Sequence, residues 1–285
     1  WWFEVKWDGY RTIAYGGPDR TALRSRRGND VGSRFPEVAA MRFERPVVLD
    51  GEIVAFGDDG APSFFLLGQR PAHIVVFDVL YLDSDRCRSA IEQRRQILEG
   101  LVLPKPAVLS QVVPGDGEAL FEAVGDRGLE GIVAKRAGSL YHPGRRSPEW
   151  RKIAHKHRTR AVVGGFLAGE GARATTFGSL LLGLWADGLR FVGSVGSGFT
   201  ERALREIQSL LDPLRRSVSP FVNPVDVPGH KVFVDPVLVA EIEYRQWTPY
   251  DRFRAPVFKG LADVPSESVT WSAELPTRDR PIADP

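Results

Sequence analysis

The chain has 285 residues, of which 43% are hydrophobic, 26% charged and 10% aromatic; this is enough apolar material for one large or two medium cores and excludes a disordered, collagen-like or coiled-coil protein. Lys and Arg number 38 against 36 Asp and Glu, a net charge of +2 that by itself indicates no partner. No stretch approaches the roughly 18 uncharged apolar residues of a membrane helix, and the start, Trp1-Trp2-Phe3-Glu4, has neither an initiator Met nor a signal-peptide pattern, so the sequence reads as a soluble fragment of a longer protein. In chain order, Phe3, Val5 and Trp7 alternate with Glu4, Lys6 and Asp8, a period of two that predicts a strand with three ionisable groups on one face. Strands are further predicted over 46–56 and 73–82, with turns at Gly16-Gly17-Pro18, Gly57-Asp58-Asp59-Gly60 and Pro114-Gly115-Asp116-Gly117. Helices are predicted over 89–101 and 117–126. Beyond Arg160 the texture changes to short glycine-punctuated strands at 161–167, 179–185, 189–195 and 237–247. One helix interrupts them, capped by Thr200, with Leu204, Ile207, Leu211 and Leu214 in a single stripe. A mixed α and β domain over 1–160 followed by a small barrel with an inserted helix over 161–285 is expected, the boundary falling near 158–162.

Charge is unevenly spread. Between His142 and Arg160 lie Arg145, Arg146, Arg151, Lys152, Lys156, Arg158 and Arg160 against a single acid, Glu149; such a run suits phosphates, and it equally describes a solvated basic loop. Cys87 is the single cysteine, so an internal disulfide and a cysteine-built zinc site are excluded, and a reducing compartment fits. His155 and His157 have no matching acid or cysteine pair and do not make a zinc site. The most informative segment is Lys6-Trp7-Asp8-Gly9-Tyr10-Arg11. Taken alone, its lysine is either one half of a surface ion pair or an amine nucleophile directed at phosphorus, with Arg11 holding ribose or phosphate.

The pattern Lys-x-Asp-Gly-x-Arg resembles the first motif of the covalent nucleotidyltransferases: ATP-dependent DNA ligases, RNA ligases and mRNA capping enzymes. Further motifs follow in the family's order. Ser25-Arg26-Arg27-Gly28 is similar to the next, Asp50-Gly51-Glu52 to the third, and Phe77-Asp78-Val79-Leu80-Tyr81 to the strand bearing the base-stacking aromatic. Glu130-Gly131-Ile132-Val133-Ala134-Lys135 resembles the fourth and Trp150-Arg151-Lys152 the fifth. The stretches 191–199 and 247–261 look like the C-terminal barrel of bacterial ATP-dependent DNA ligases, including the ligase domain of the end-joining enzyme. The glycines between 193 and 198 lack dinucleotide-fingerprint spacing and read as turn residues before the Thr200 cap.

The resemblance implies an α+β nucleotidyltransferase (ATP-grasp-like ligase) domain followed by a β-barrel OB-fold domain, acting on nicked double-stranded DNA in repair, with ATP and Mg²⁺ or Mn²⁺. By it, Lys6 would form lysyl-AMP, Glu4 would accept from the adenine amino group and Phe77 would stack on the base. Arg11, Arg26 and Glu52 would position ribose and phosphate, Glu130 would bind metal, and Lys135 and Lys152 would contact the α-phosphate. Asp8 and Asp50 are either outer-shell or purely structural. Arg145, Arg146, Lys156 and Arg158 would lie on the DNA backbone. Two places depart from the family's pattern. The second lysine of the fifth motif is replaced by Ala154, with Lys156 the nearest substitute, and Ala262 and Val264 stand where barrel cations associated with pyrophosphate orientation are usual, so slow attack on ATP is expected although Arg252, Arg254 and Lys259 are nearby. Alternatives are an RNA ligase, a capping guanylyltransferase, or a nick-binding protein with weak catalysis. A bacterial cytoplasmic, nucleoid-associated monomer is expected, open to repair proteins or fused polymerase and nuclease domains.

Overall fold

A computed structural model describes residues 1–275; residues 276–285, the end of the expected second domain, lie outside the described residues. The chain divides into two compact units, Trp1–His155 and the residues from Lys156 onward. The division falls just after the strand ending at Ala154, ahead of the 158–162 expected from composition. His157–Ala168 is one continuous strand, so the change of texture at Arg160 lies inside an element.

The first unit contains two sheets. Strands β1 (Trp2–Val5), β2 (Tyr10–Gly16), β3 (Thr21–Ser25), β4 (Val47–Ala55), β5 (Ala72–Leu82), β6 (Ser84–Asp85), β7 (Ala107–Leu109), β8 (Val113–Pro114), β9 (Gly131–Lys135) and β10 (Trp150–Ala154) are joined by helices α1 (Pro36–Ala39), α2 (Ile91–Glu99) and α3 (Gly117–Asp126). The larger sheet runs β3-β2-β4-β5-β6, with β7 parallel to β5; the smaller runs β10-β9-β1-β8. Leu49 and Ile53 of the central β4 join Phe35, Val38 and Leu98 in one apolar cluster. Alternation then turns Asp50 and Glu52 to the other face, where Glu52 is paired with Arg11 and Asp50 with Ile13 across the ladder. The strand predicted through Lys6 and Asp8 stops at Val5, and Glu4 points inward at 3% exposure. Its carboxylate has donors inside the fold, Ser110 and Lys135.

The second unit is built on β11 (His157–Ala168), β12 (Phe177–Trp185), β13 (Leu189–Val195), β14 (Arg215–Arg216), β15 (Lys231–Val234), β16 (Val239–Tyr244), β17 (Gln246–Trp247), β18 (Phe253–Arg254) and β19 (Val257–Ala262), with helices α4 (Glu201–Leu211) and α5 (Trp271–Glu274). The long β11 pairs with β12 along one edge and with β16 and then β15 along the other; β13 and β19 lie at opposite ends of the ladder. Among the described residues the ladder does not close as a ring of paired strands, but Phe258 N–H donates to Ser197 O at 2.9 Å where the two ends approach. This is the OB-fold architecture. Thr200 accepts from Ala203 N–H at 3.1 Å as the predicted cap, and Leu204, Ile207 and Leu211 are buried. Leu214 falls in a separate short turn, Asp212–Leu214, because Pro213 cannot continue the helix.

Candidate active site of the first unit

Lys6 lies just past β1, where its N–H still donates to Gly131 O at 2.8 Å. The chain then turns at Gly9, where a Cβ would lie 2.2 Å from Ile53 O, so only glycine lets this segment pass against β4 beside Glu52. Gly131 has φ of +138° and a Cβ there would lie 2.2 Å from Ile153 O, so glycine lets β9 and β10 close together. Glu130 is thereby set at the head of β9. The Lys6 ammonium donates to the Glu130 carboxylate, joining the first and fourth motifs across 124 residues of sequence.

Arg11 is gripped by Asp50: its Nε and Nη2 donate to the two carboxylate oxygens at 3.1 and 2.6 Å. Burial opposes the Arg11 charge, but Asp50 outweighs it and holds the guanidinium above its ordinary range. Tyr141 donates to the same carboxylate at 2.8 Å, and burial together with Asp50 pushes its phenol up. Asp50 has no exposure; it fixes Arg11 and Tyr141 rather than facing a ligand. Glu52 is raised by burial to about 7, opposed by the fields of Lys6, Arg11 and Lys152.

The base-stacking candidate owes its position to an irregularity. Pairing between β4 and β5 steps from Asp50↔Asp78 to Gly51↔Val76, leaving Phe77 as a bulged residue, the device that re-aims a side chain out of a regular sheet. The Phe77 carbonyl is capped by Lys135 at 3.2 Å. Lys135 also donates to Glu4 Oε1 at 2.5 Å, and its ammonium lies 4.8 Å from the Phe77 ring centroid and 4.4 Å from that of Trp150. Ser110 donates to Glu4 Oε2 at 2.9 Å. Lys135 is thus turned inward, at 2% exposure, toward Glu4 and the aromatic rings.

A cavity of about 550 Å³ opens beside these groups, lined by Arg11, Arg26, Arg145, Arg146 and Lys152 together with Ile13, Val133, Leu140, Tyr141 and Trp150. No carboxylate lines it. Burial, and then the charges of Lys6 and Arg11, pull the Lys152 ammonium below the ordinary lysine range. Arg145 and Arg146, expected on DNA from sequence, therefore share one cavity with residues expected to hold the nucleotide. Lys156 and Arg158 belong to the second unit. There Lys156 is paired with Glu243 at 2.9 Å, and Glu243 also holds Lys259 at 3.5 Å, so the suggested substitute for the missing fifth-motif lysine already has a counter-charge. Arg252 is paired with Asp226 at 2.9 Å, Arg254 donates to Gln246 at 3.0 Å, and Ala262 and Val264 pack against the apolar core of that unit. Ser110 and Tyr141 escaped the sequence reading: each acts through a partner dozens of residues away, and no local pattern marks them.

The family profile described as ATP dependent DNA ligase domain matches residues 1–154, and that described as ATP dependent DNA ligase C terminal region matches residues 173–264. The multifunctional non-homologous end joining DNA repair protein LigD of Mycobacterium tuberculosis is 39% identical over 282 residues, covering 94% of this chain and 37% of that protein. Its counterpart in Mycolicibacterium smegmatis is 40% identical over 284 residues, covering 95% of this chain and 37% of that protein. A solved mycobacterial DNA ligase D in complex with ATP and MES superposes with a TM-score of 0.54 at 36% identity, covering 94% of this chain and 92% of that one. A Lig E DNA ligase, at 19% identity and a TM-score of 0.62, shares the fold. The chain spans just over a third of the length of these two curated relatives.

Proposed function

The chain belongs to the ATP-dependent DNA ligase family, and on that premise we propose that it seals nicks in double-stranded DNA through a lysyl-AMP on Lys6. The contact of Lys6 with Glu130 carries this reading, because it sets a candidate nucleophile against a carboxylate able to take its proton, while the charge of Lys6 is felt at Lys152, which lines the cationic cavity. Lys6 Nζ, once deprotonated, attacks the α-phosphorus; the N–P bond forms as the bond to pyrophosphate breaks. AMP then passes to the 5′-phosphate at the nick, and the adjacent 3′-hydroxyl displaces it.

Glu4 retains acceptor capacity after its bonds to Lys135 and Ser110, since a carboxylate offers about four lone-pair sites, and it is our candidate for the adenine amino group. Phe77 stacks on the base, with Lys135 holding both ring and carboxylate in place. Arg11, Arg26 and Glu52 position ribose and phosphate, and Lys152 meets the α-phosphate. Mg²⁺ or Mn²⁺ would be held by the Glu130 carboxylate, since these hard ions are commonly bound by one or two carboxylates together with substrate phosphates. Such an ion would neutralise the phosphate oxygens. Arg158 and Lys156 are proposed DNA-backbone contacts, the latter in exchange for Glu243. By likeness to the end-joining relatives, the pathway is bacterial double-strand-break repair in the cytoplasm, with any polymerase or nuclease activity residing in fused domains.

Incubation with α-labelled ATP or GTP followed by a denaturing gel tests the reading. Covalent label from ATP, lost in Lys6→Ala, is expected. Label from GTP alone indicates a capping-type guanylyltransferase, and nick binding without label indicates a binding protein.

A further inference from the structure

We propose that Arg145 and Arg146 hold the β- and γ-phosphates of ATP while Lys6 attacks, so that the loop between β9 and β10 supplies the pyrophosphate site from within the first unit. The proposal rests on the ligase reading of the same site and names what its basic loop binds.

The two arginines line the same cavity as Arg11, Arg26 and Lys152. Among the described residues, none of Arg26, Arg145, Arg146 and Lys152 forms an ion pair. The one acid of the loop, Glu149, meets His142 at 3.1 Å and Ser147 at 3.4 Å rather than either arginine. Arg11, by contrast, already has its guanidinium engaged by Asp50. The cavity therefore carries cations in excess of its own acids, and the lowered Lys152 is the electrostatic mark of that crowding. A polyanion relieves it.

Shape chooses which polyanion. A duplex offers its phosphates along a convex rod, about 3.4 Å of axis per charge on each strand; cations that line a concave cavity of about 550 Å³ match a compact oligophosphate, and volumes of this order are usual for small-molecule sites. Two adjacent guanidinium forks suit two adjacent phosphates. In the second unit Ala262 and Val264 are packed against the core, and Lys259 and Arg252 already have counter-charges in Glu243 and Asp226.

Chemically, the electron pair of Lys6 Nζ forms the bond to the α-phosphorus, the proton leaves Nζ, and the electron pair of the breaking bond departs on the oxygen joining the α- and β-phosphates. Negative charge grows on pyrophosphate as that bond lengthens. Cations placed there stabilise the transition state more than the ground state and raise the rate of this step alone.

The test compares the chain with its Arg145→Ala, Arg146→Ala double variant and with the Arg145→Lys, Arg146→Lys pair, all checked by thermal melting. Single-turnover formation of the ATP adduct should fall about 100-fold in the alanine variant and partly recover in the lysine variant. Inhibition by added pyrophosphate should weaken about tenfold, while sealing of a chemically pre-adenylylated nick and the salt dependence of nick binding should stay within about twofold of the parent. Adduct formation within about twofold of the parent overturns the proposal. So does a matching loss in sealing, with the log–log salt slope reduced by about 1 to 2, which returns the pair to the DNA backbone. An unsubstituted chain that forms no adduct at all overturns the ligase reading and the proposal with it, whereas an active chain with an indifferent variant removes the proposal alone.

Discussion

The two units treat positive charge in opposite ways. In the second, basic side chains near the altered barrel motif have acidic partners: Lys156 and Lys259 share Glu243, Arg160 is paired with Glu274, and Arg252 with Asp226. In the first, Arg26, Arg145, Arg146 and Lys152 converge on a cavity that no carboxylate lines, and the paired cations beside them, Arg11 with Asp50 and Lys135 with Glu4, are anchored by carboxylates with no more than 4% side-chain exposure. Paired cations fix geometry; unpaired cations keep their field for a ligand. The difference shows that a basic run in a sequence is not one surface until the counter-charges have been located.

The sharpest test of the paired class is Asp50→Ala, which strands Arg11 and Tyr141 beside a buried hole. It should cost about 3–5 kcal/mol in denaturant unfolding, whereas Asp226→Ala, removing an exposed partner of Arg252, should cost less than about 1 kcal/mol; similar costs would erase the contrast between the units. For the unpaired class, Lys152→Ala should leave stability within about 0.5 kcal/mol while lowering single-turnover adduct formation about 10- to 100-fold. A large loss of stability with unchanged adduct formation would make Lys152 structural.

A third test uses pH. The folded state holds the Glu52 proton up to about 7, whereas an unfolded glutamate releases it near 4.5. Between those values the folded chain binds more protons, so the contribution of Glu52 to stability is full below 4.5 and declines as pH rises through 7. Glu52→Gln should therefore gain on the parent by about 3 kcal/mol between pH 4 and pH 8; a difference independent of pH would show that Glu52 ionises normally in the fold. The smallest effect is expected from Glu243→Gln, which releases two lysines. Stability should change by less than about 1 kcal/mol, and the salt slope of nicked-DNA binding should steepen by about 1. An unchanged slope would mean that neither lysine reaches the duplex.

Much of this was legible in the sequence, because the long strands and the helices announce themselves by apolar period and by caps: Leu189–Val195 and Gly117–Asp126 have the bounds expected of them. The hairpin β2-β3 was missed except for its Gly16-Gly17-Pro18 turn, since the buried face carries Thr12, Thr21 and Ser25 while Ile13 and Tyr15 lie on the other, which blurs the apolar alternation. The opening strand was over-extended because alternation continues through Trp7 although pairing with β9 ends at Val5. The motifs brought forward the residues of the site, but not what each one faces. That Lys135 turns inward, that Glu4 is buried, and that Asp50 fixes Arg11 are outcomes of long-range pairing that spacing cannot show. The boundary was placed late because a single strand, β11, begins polar and ends apolar.

The bulge at Phe77 has a consequence for the thermodynamics of the base stacking proposed there. Its carbonyl and its ring are both held by the one ammonium of Lys135, which also lies over Trp150, so the aromatic surface is rigid through the protein's own contacts. A base stacking there freezes few rotamers, and the ordering entropy that usually offsets such contacts is small. Calorimetry of a non-reactive adenosine analogue should accordingly show a favourable enthalpy with little opposing entropy, and Lys135→Met, which releases the bulge, should restore the entropic loss.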